Sequence, residues 1–327
     1  MSTLKDVAKL ANVDVSTVSR ALNGKSYVQE ETKLRILNAA KQLNYSPNLL
    51  AKNLREGKSK TIAVIVPSIS LNIFADITYY IEIECRKLGY NTIISNTQDD
   101  PSIEANCLKH LSKGFVDAIA IASCGKNKKL IKEIHKRGIP IIQIIRKYDN
   151  TISSVAANYE IIGYDGTKYL ISKGCKHIGL INGSKYIIPY KERYDGYKKA
   201  ITENNYQENV AEITTLDFLE GSYNAVHSLL ERNPNIDGIL VSTDMQGIGV
   251  MRALKNKKIK VPQQIKIISL TGNYIGAWLE TAITSVEIPA KEIGKKIANI
   301  IIENIKNKKN TTNHIVFEPH LIERETT

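Results

Sequence analysis

Two short amphipathic segments, joined by a turn of three residues, open the chain and constrain its fold more than any other feature of the sequence. Each has apolar residues at the spacing of a helix with one buried face: Leu4, Val7, Ala8 and Ala11, then Val15, Val18, Ala21 and Leu22. Thr3 and Asp6 predict a capping box at the start of the first helix. A turn this tight needs a residue that accepts positive φ, which Asn12 tolerates, and Asp14 can cap the second helix. The spacing therefore predicts a helix-turn-helix.

The second helix carries small polar groups and one arginine on its outer face. In a helix-turn-helix this helix enters the DNA major groove with its N-terminal residues against base edges. Arginine binds guanine through two hydrogen bonds, serine contacts bases or phosphates, and valine packs on a thymine methyl group. We therefore predict a DNA-contacting set, in which Thr17 binds a phosphate: Val15, Ser16, Thr17, Ser19 and Arg20. The alternative is an ordinary solvated helix face.

Positive charge is concentrated in the same part of the chain. The net charge is +12, and residues 1–60 hold eleven Lys and Arg against five Asp and Glu. A basic N-terminal segment is typical of a protein that binds phosphates. A general richness in lysine would also raise the charge, so this observation alone leaves both interpretations open.

A third helix and a linker complete the N-terminal region. A helix over Thr32–Leu43 is predicted to close the small core with five apolar residues: Leu34, Ile36, Leu37, Ala40 and Leu43. Pro47 suits the first turn of a fourth, very short helix, and the polar run after Gly57 reads as a linker. We thus predict a helix-turn-helix headpiece over 1–45, a hinge helix and linker over 46–60, and a core over 61–327.

The core alternates apolar strand-like runs with helical patterns. The runs are "TIAVIVPSI", "YNTIISNT", "VDAIAIAS", "IPIIQII", "HIGLINGS", "DGILVST" and "IKIISLT". Buried strands that alternate with helices predict parallel sheets covered on both faces, and so many units exceed one compact domain. The predicted fold is an α/β core of two doubly wound parallel-sheet subdomains, about 61–157 with 290–320 and about 158–289, preceded by the small all-α domain.

Short polar residues follow most of the predicted strands. They are Ser68, Ser70, Ser123, Asn182, Ser184, Thr243, Asp244 and Thr271. Sheets of this kind bind ligands at the carboxyl ends of their strands, so we expect a cleft between the subdomains that takes a small polar ligand. Polar loops are common in any protein, which is the alternative interpretation.

Several classes of protein are disfavoured. The four cysteines and six histidines have no metal-ligand spacing, so we expect reduced thiols, no metal site and no cofactor. The chain has no apolar run of spanning length and no secretory signal, from which we expect a cytoplasmic protein without membrane contact. It also lacks the phosphate-binding and nucleophile motifs of common enzymes, so we predict that it is not an enzyme.

The N-terminal sequence "TLKDVAKLANVDVSTVSRALNGKSYVQEETKLRILNAAKQLNYSPNLLAKNL" resembles the headpiece and hinge of the LacI/GalR family of bacterial transcription regulators. The resemblance implies that Val15, Ser16 and Arg20 read bases. It also implies that Leu54 enters the minor groove at the operator centre as a wedge that kinks DNA, with Arg55 beside it. Asn12 departs from the usual turn glycine, and Lys52-Asn53 from the more common Arg-Ser.

The resemblance continues more weakly to the end of the chain, through "GCKHIGLI", "RYDGYKKA", "VSTDMQGIGVMRAL", "VPQQIKIISL" and "PHLIERETT". It implies a periplasmic-binding-protein-like core whose chain passes between the lobes three times. Arg193 matches the family's effector-contacting arginine, and the implied effector-binding set is Ser70, Ile73, Arg193, Thr243, Asp244 and Thr271. Sugar-binding members typically carry carboxylates where this chain has Ile145, Asn158 and Thr271. We therefore expect an effector that is not a plain neutral hexose and is anionic or partly apolar.

The resemblance implies a homodimeric repressor that binds a pseudo-palindromic operator and is controlled by a small-molecule effector, with "FADITYYIEIECRKLGY" near the dimer interface. The alternative within the family is a regulator that depends on a corepressor or on a partner protein. Solute-binding proteins share such a core, but they are exported and lack a headpiece.

Overall fold

A computed structural model of the chain describes residues 2–23, 27–46, 58–272, 274–307 and 312–327. The chain divides into two compact units, residues 1–59 and residues 60–327. Leu54 and Arg55, together with the rest of the predicted hinge helix, lie outside the described residues.

The first unit contains three helices: α1 Leu4–Ala11, α2 Val15–Asn23 and α3 Glu30–Gln42. The predicted capping box is present, because the Thr3 hydroxyl accepts from the Asp6 backbone N–H and the Asp6 carboxylate accepts from the Thr3 N–H at 2.7 Å. Asn12 ends α1 in the left-handed conformation, with φ 49°, and α2 begins three residues later. The helix-turn-helix predicted from the sequence is confirmed.

The core of the first unit is small and packs around three residues that are fully buried, Val7, Val18 and Ile36. The prediction that Leu34 and Leu37 close this core is wrong, since they are 58% and 44% exposed. The inward face of α3 is formed by Ile36 with Ala39 and Ala40, at the i, i+3 and i+4 spacing. A leucine two residues before or one residue after Ile36 points away from that face, because each residue turns the helix by about 100°.

The second unit consists of two lobes, each built on a six-stranded sheet. The N lobe has strand order β11-β5-β4-β3-β1-β2, and the C lobe has the order β12-β10-β9-β8-β6-β7. All pairings are parallel except that of β10 with β12. The strands are β1 Thr61–Val66, β2 Asn91–Asn96, β3 Ala118–Ile121, β4 Ile141–Ile144, β5 Ser153–Ala157, β6 Ile178–Gly183, β7 Asn209–Ile213, β8 Gly238–Val241, β9 Lys266–Gly272, β10 Thr284–Glu287, β11 His314–Phe317 and β12 His320–Ile322.

Helices cover both faces of each sheet. They are α4 Asn72–Lys87, α5 Pro101–Leu111, α6 Lys128–Lys136, α7 Tyr159–Ser172, α8 Ile188–Glu203, α9 Phe218–Arg232, α10 Asp244–Asn256, α11 Tyr274–Ala277 and α12 Ala290–Asn307. In the N lobe, α4 and α12 pack together on one face, while α5 and α6 pack on the other. In the C lobe, α7 pairs with α8 and α9 pairs with α10. The predicted fold class is therefore confirmed.

The chain passes between the lobes three times: from β5 to α7, from β10 to α12, and from β11 to β12. The last strand of the N lobe ends at Phe317, and His320 already belongs to the sheet of the C lobe. Central strands such as β3, β4 and β8 are completely buried. Such rigid strands fix the positions of the loops that follow them, and these loops contribute to a cavity between the lobes.

Candidate DNA interface and ligand cavity

Helix α2 divides into a buried face and a face that is open to solvent. Val18 and Ala21 are buried in the core of the first unit, whereas Val15, Ser16 and Arg20 are exposed. Thr17 and Ser19 are partly buried at the borders of the exposed face. The exposed face therefore presents an arginine, a hydroxyl and a valine, which are the three kinds of side chain that read base edges in the major groove.

A cavity in the second unit encloses about 580 Å³ of space between atoms, part of which is open to solvent. Both lobes contribute to its wall. Its lining residues are Leu71, Asn72, Ile73, Phe74, Ile145, Arg146, Tyr159, Ile187, Pro189, Tyr190, Arg193, Thr243, Asp244, Met245 and Thr271. Seven of the fifteen are aliphatic, proline, methionine or phenylalanine side chains, two more are tyrosines, and three are charged, so apolar and aromatic groups form most of the wall.

Five of the six residues predicted for effector binding line the cavity: Ile73, Arg193, Thr243, Asp244 and Thr271. The sixth, Ser70, is exposed and is not among the lining residues; its backbone N–H bonds the Ser68 hydroxyl at 3.0 Å. That these residues bind an effector stays a prediction.

Other polar residues at the strand ends do not reach the cavity, because they are used within their own lobes. The Ser123 hydroxyl donates to the Glu104 carboxylate at 2.9 Å. The Asn182 amide donates to the Tyr190 carbonyl at 2.9 Å and accepts from the Ser242 hydroxyl at 2.7 Å. The expectation that all these strand-end groups converge on one cleft is therefore wrong for Ser123 and Asn182.

Arg193 extends from α8 into the cavity and is only 4% exposed. One of its terminal nitrogens donates to the Thr271 hydroxyl, and its guanidinium lies over the rings of Tyr159 at 4.7 Å and Tyr190 at 5.7 Å. Its Nε has no hydrogen-bond partner among the residues that the structure describes. Burial lowers the pKa of Arg193 from its ordinary value. The charge of the neighbouring Glu192 partly opposes this lowering of the pKa, but Arg193 makes no ion pair with a carboxylate among the described residues.

Arg146 follows β4 in the N lobe and is 3% exposed. Its two terminal nitrogens bond the two carboxylate oxygens of Asp99, one of them at 3.0 Å, and one also donates to the Ser123 carbonyl at 3.2 Å. Burial by itself lowers the pKa of Arg146, but the hydrogen bond and charge of Asp99 outweigh it and raise that pKa. The guanidinium also lies 5.6 Å from the ring centre of Phe74. Arg146 is therefore a paired cation.

Ile145 lines the cavity in a backbone conformation that a β-branched residue rarely adopts. Its φ is 64°, and the Arg146 N–H bonds the Ile144 carbonyl across it at 2.5 Å, which closes a three-residue turn. A left-handed φ in such a residue costs of the order of 1–3 kcal/mol and is found mainly at functional sites. The turn gives this side of the cavity an apolar wall.

Sequence reasoning missed Arg146 and the aromatic residues of the cavity. Phe74, Tyr159 and Tyr190 lie on helices whose periodicity marks them as ordinary core residues. Arg146 directly follows the carboxyl end of a predicted strand, and this position could have identified it as a residue of the cleft. Asn158, one of the departures in the effector region, caps α7 by accepting from the Ile161 N–H at 3.1 Å and is not among the lining residues.

No group of three or more His, Cys, Asp or Glu side chains is placed to hold a metal ion in the described ranges. No helix among the same residues is long and apolar enough to cross a membrane.

Comparisons with known proteins place both units in one class. Residues 3–48 match the model of the bacterial regulatory proteins of the lacI family, and residues 167–327 match the periplasmic binding protein-like domain. The ribose operon repressor of Halalkalibacterium halodurans is 31% identical over all of this chain and 97% of its own length. The catabolite control protein A of Priestia megaterium is 30% identical over 98% of this chain and 97% of its own.

A lac repressor dimer bound to operator shares the fold, with a TM-score of 0.87 over 99% of this chain and 98% of its own at 20% identity. A DNA-binding headpiece joined to a two-lobed core with a small-molecule cavity defines a class of transcription regulators. The chain belongs to the LacI family of these regulators.

Proposed function

We propose that the chain is a homodimeric repressor that binds a pseudo-palindromic operator and changes its affinity for that operator when a small molecule occupies the cavity between its lobes. The observation that carries the proposal is the presence, in one chain, of an exposed face on α2 and of a cavity lined by a buried Arg193 that makes no ion pair among the described residues. Relatives that are named as repressors support repression, rather than activation, of transcription.

Four residues of α2 read the operator in this proposal: Val15, Ser16, Ser19 and Arg20. Thr17 contacts a phosphate. A dimer places two such helices on one face of DNA about one helical turn apart, so the symmetry of the protein matches the symmetry of the site. Leu54 and Arg55, which lie outside the described residues, are proposed to contact the minor groove at the centre of the site.

The effector is proposed to contact five residues of the cavity: Ile73, Arg193, Thr243, Asp244 and Thr271. Ser70 is left out of this set because it does not line the cavity. Both lobes contribute wall residues, so a bound ligand stabilises one degree of lobe closure over another. Coupling to DNA then follows if operator and ligand favour different closures.

The N lobe has a surface that supports a homodimer. β2 is an edge strand of its sheet and carries two exposed isoleucines, Ile93 and Ile94. Tyr79 on α4, the helix predicted to lie near the interface, is also exposed. An apolar edge strand is an aggregation hazard unless another surface covers it, and a second copy of the chain is the covering that a two-fold operator requires.

Two further parts of the proposal concern what the protein does not do and where it acts. The relatives are named as a ribose operon repressor and a catabolite control protein, and we propose no catalysis for this chain. A chain that acts on chromosomal DNA in a bacterium works in the cytoplasm.

Deletion of the gene followed by transcript profiling, with footprinting of the purified full chain on the affected promoters, tests this function. We expect transcripts to rise from promoters that carry a protected pseudo-palindrome. A fall in those transcripts would identify an activator. A footprint that appears only with added metabolites would favour corepressor control, and one that needs a second protein would favour partner control.

A further inference from the structure

We propose that the ligand of the cavity is a small monocarboxylate with a largely apolar body, and that Arg193 is its counter-ion. This inference rests on the proposed function, because it takes the cavity between the lobes as the effector site. It is carried by the unequal pairing of the two arginines that line the cavity.

The N-lobe arginine is already neutralised. Arg146 binds both carboxylate oxygens of Asp99 and a backbone carbonyl, and it is almost completely buried. A bidentate arginine-carboxylate pair satisfies the charge of both partners and fixes the plane of the guanidinium. Arg146 therefore shapes the cavity without adding net positive charge to it.

The C-lobe arginine has no such partner. Arg193 makes no ion pair with a carboxylate among the described residues; its contacts are the neutral Thr271 hydroxyl and the faces of two tyrosine rings. A buried cation without a counter-ion is expensive in free energy, so a chain that keeps one in a ligand cavity gains from an anion that arrives there. The Arg193 Nε is a buried donor without a partner among the described residues, which a carboxylate oxygen can satisfy.

The remaining wall determines the rest of the ligand. Leu71, Ile73, Phe74, Ile187 and Met245 are apolar, and Ile145 is held toward this cavity by a strained turn. A ligand with many hydroxyl groups would leave several of them without partners against this wall, at a cost for each buried unsatisfied group. An apolar or aromatic body has no such cost and packs well against Phe74 and Tyr190.

The charge of the ligand is limited to one. Arg193 is the single cation lining the cavity, within the described residues, that has no carboxylate in an ion pair. A phosphate ester carries up to two negative charges, and one guanidinium group neutralises only one of them. A monocarboxylate therefore fits better than a phosphorylated sugar.

Matched pairs of acids and their amides test this inference on the full chain. The probes are benzoate, phenylacetate, 3-phenylpropionate and hexanoate, each with its amide, together with D-glucose and glucose 6-phosphate. We expect at least one acid to raise the unfolding midpoint, since a ligand that binds the native state stabilises it. Titration calorimetry should give its amide a Kd weaker by roughly 30-fold or more.

Arg193→Met should abolish binding of that acid, and Lys199→Met is the matched control. Lys199 lies on the same helix, is exposed, and its replacement changes the net charge equally. The inference is overturned if no acid stabilises the chain more than its amide, or if glucose or glucose 6-phosphate binds more tightly than every acid.

A readout without ligand gives a second test. Arg193→Met removes an uncompensated buried cation, so the ligand-free variant should unfold at a higher temperature than the parent, by about 2 °C or more. Arg146→Met should unfold at a lower temperature, because it leaves Asp99 without its partner. A fall in both variants by similar amounts would contradict the assignment of Arg193 as the uncompensated charge.

The outcomes separate this inference from the proposed function. If an acid binds through Arg193 but leaves DNA affinity unchanged, the proposal that a ligand controls DNA binding is wrong, and the inference that the cavity binds a monocarboxylate is supported. If a sugar changes DNA affinity and no acid does, the proposed control of DNA binding by a ligand is supported, and the inference that the ligand is a monocarboxylate is wrong.

Discussion

At the scale of single residues, Arg146 and Arg193 are buried to the same extent but have different partners, and we assign them opposite roles for that reason. Arg146 is paired with Asp99, so the two together stabilise the N lobe. Arg193 contacts a hydroxyl and two aromatic rings, so we propose that its charge is left for a ligand. Neither role follows from the burial of the arginine alone.

The pair in the N lobe gives a stability prediction. Asp99→Asn keeps the shape of the side chain but leaves Arg146 as a buried charge, so the free energy of unfolding should fall by roughly 3–5 kcal/mol. Chemical denaturation of the full chain measures this loss. Asp195→Asn, which removes the partner of the exposed Lys191, is the control and should cost below about 1 kcal/mol. Equal losses in the two variants would remove Asp99 from this role.

The reading face of α2 gives a specificity prediction. Arg20→Ala should relax the preference at one base pair of each half-site and cost on the order of 1–3 kcal/mol of binding free energy. Binding to the operator and to variants at each position measures this change. Arg35→Ala, an equally basic and exposed residue on α3, should weaken binding uniformly if it does so at all. Equal loss of Arg20→Ala on operator and random DNA would contradict base reading.

At the scale of elements, the parts that local chemistry determines could be predicted from the sequence. Thr3 and Asp6 identified the start of α1, and Asn12 identified its end, because capping and left-handed φ depend on neighbours within a few residues. Which residues of α3 face the core could not be predicted from neighbouring residues in the same way. Leu34 and Leu37 are more hydrophobic than Ala39 and Ala40, but the two alanines lie on the face of α3 that carries the buried Ile36 and the two leucines do not.

The turn between α1 and α2 gives a prediction at this scale. Asn12→Gly should leave the headpiece at least as stable as the parent, whereas Asn12→Val should destabilise it by about 1–2 kcal/mol, because a β-branched residue disfavours the left-handed region. Hydrogen exchange at the amides of α1 and α2 in the full chain reports the difference. Faster exchange in the glycine variant than in the valine variant would show that this conformation is not what limits the turn.

At the scale of the whole molecule, the alternation of strands and helices was sufficient to predict two parallel sheets, because buried strands have a distinctive composition. The cavity could be predicted only in part. Asp99 follows β2 and Arg146 follows β4, and these strands are separated in the sheet by β1 and β3. Their pairing depends on the order of strands and on side chains that reach across it, which sequence spacing does not encode.

The proposed dimer gives a prediction at this scale. Ile94→Lys places a charge on the edge strand β2 and should shift the chain toward monomer, as measured by sedimentation at several concentrations. Phe115→Lys is the matched control, since both side chains are 45% exposed and belong to the N lobe. A dimer that is unchanged by Ile94→Lys, or weakened equally by both substitutions, would exclude this edge as the interface.

The central claim, that this regulator reads a specific operator as a dimer, is tested most directly by selection from random duplex DNA with the purified full chain at two salt concentrations. We predict enrichment of one pseudo-palindromic sequence, with a preference that survives at the higher salt while affinity falls, because base contacts specify and phosphate contacts are screened. Binding that is independent of sequence at both salt concentrations, with and without added pooled metabolites, would contradict the claim.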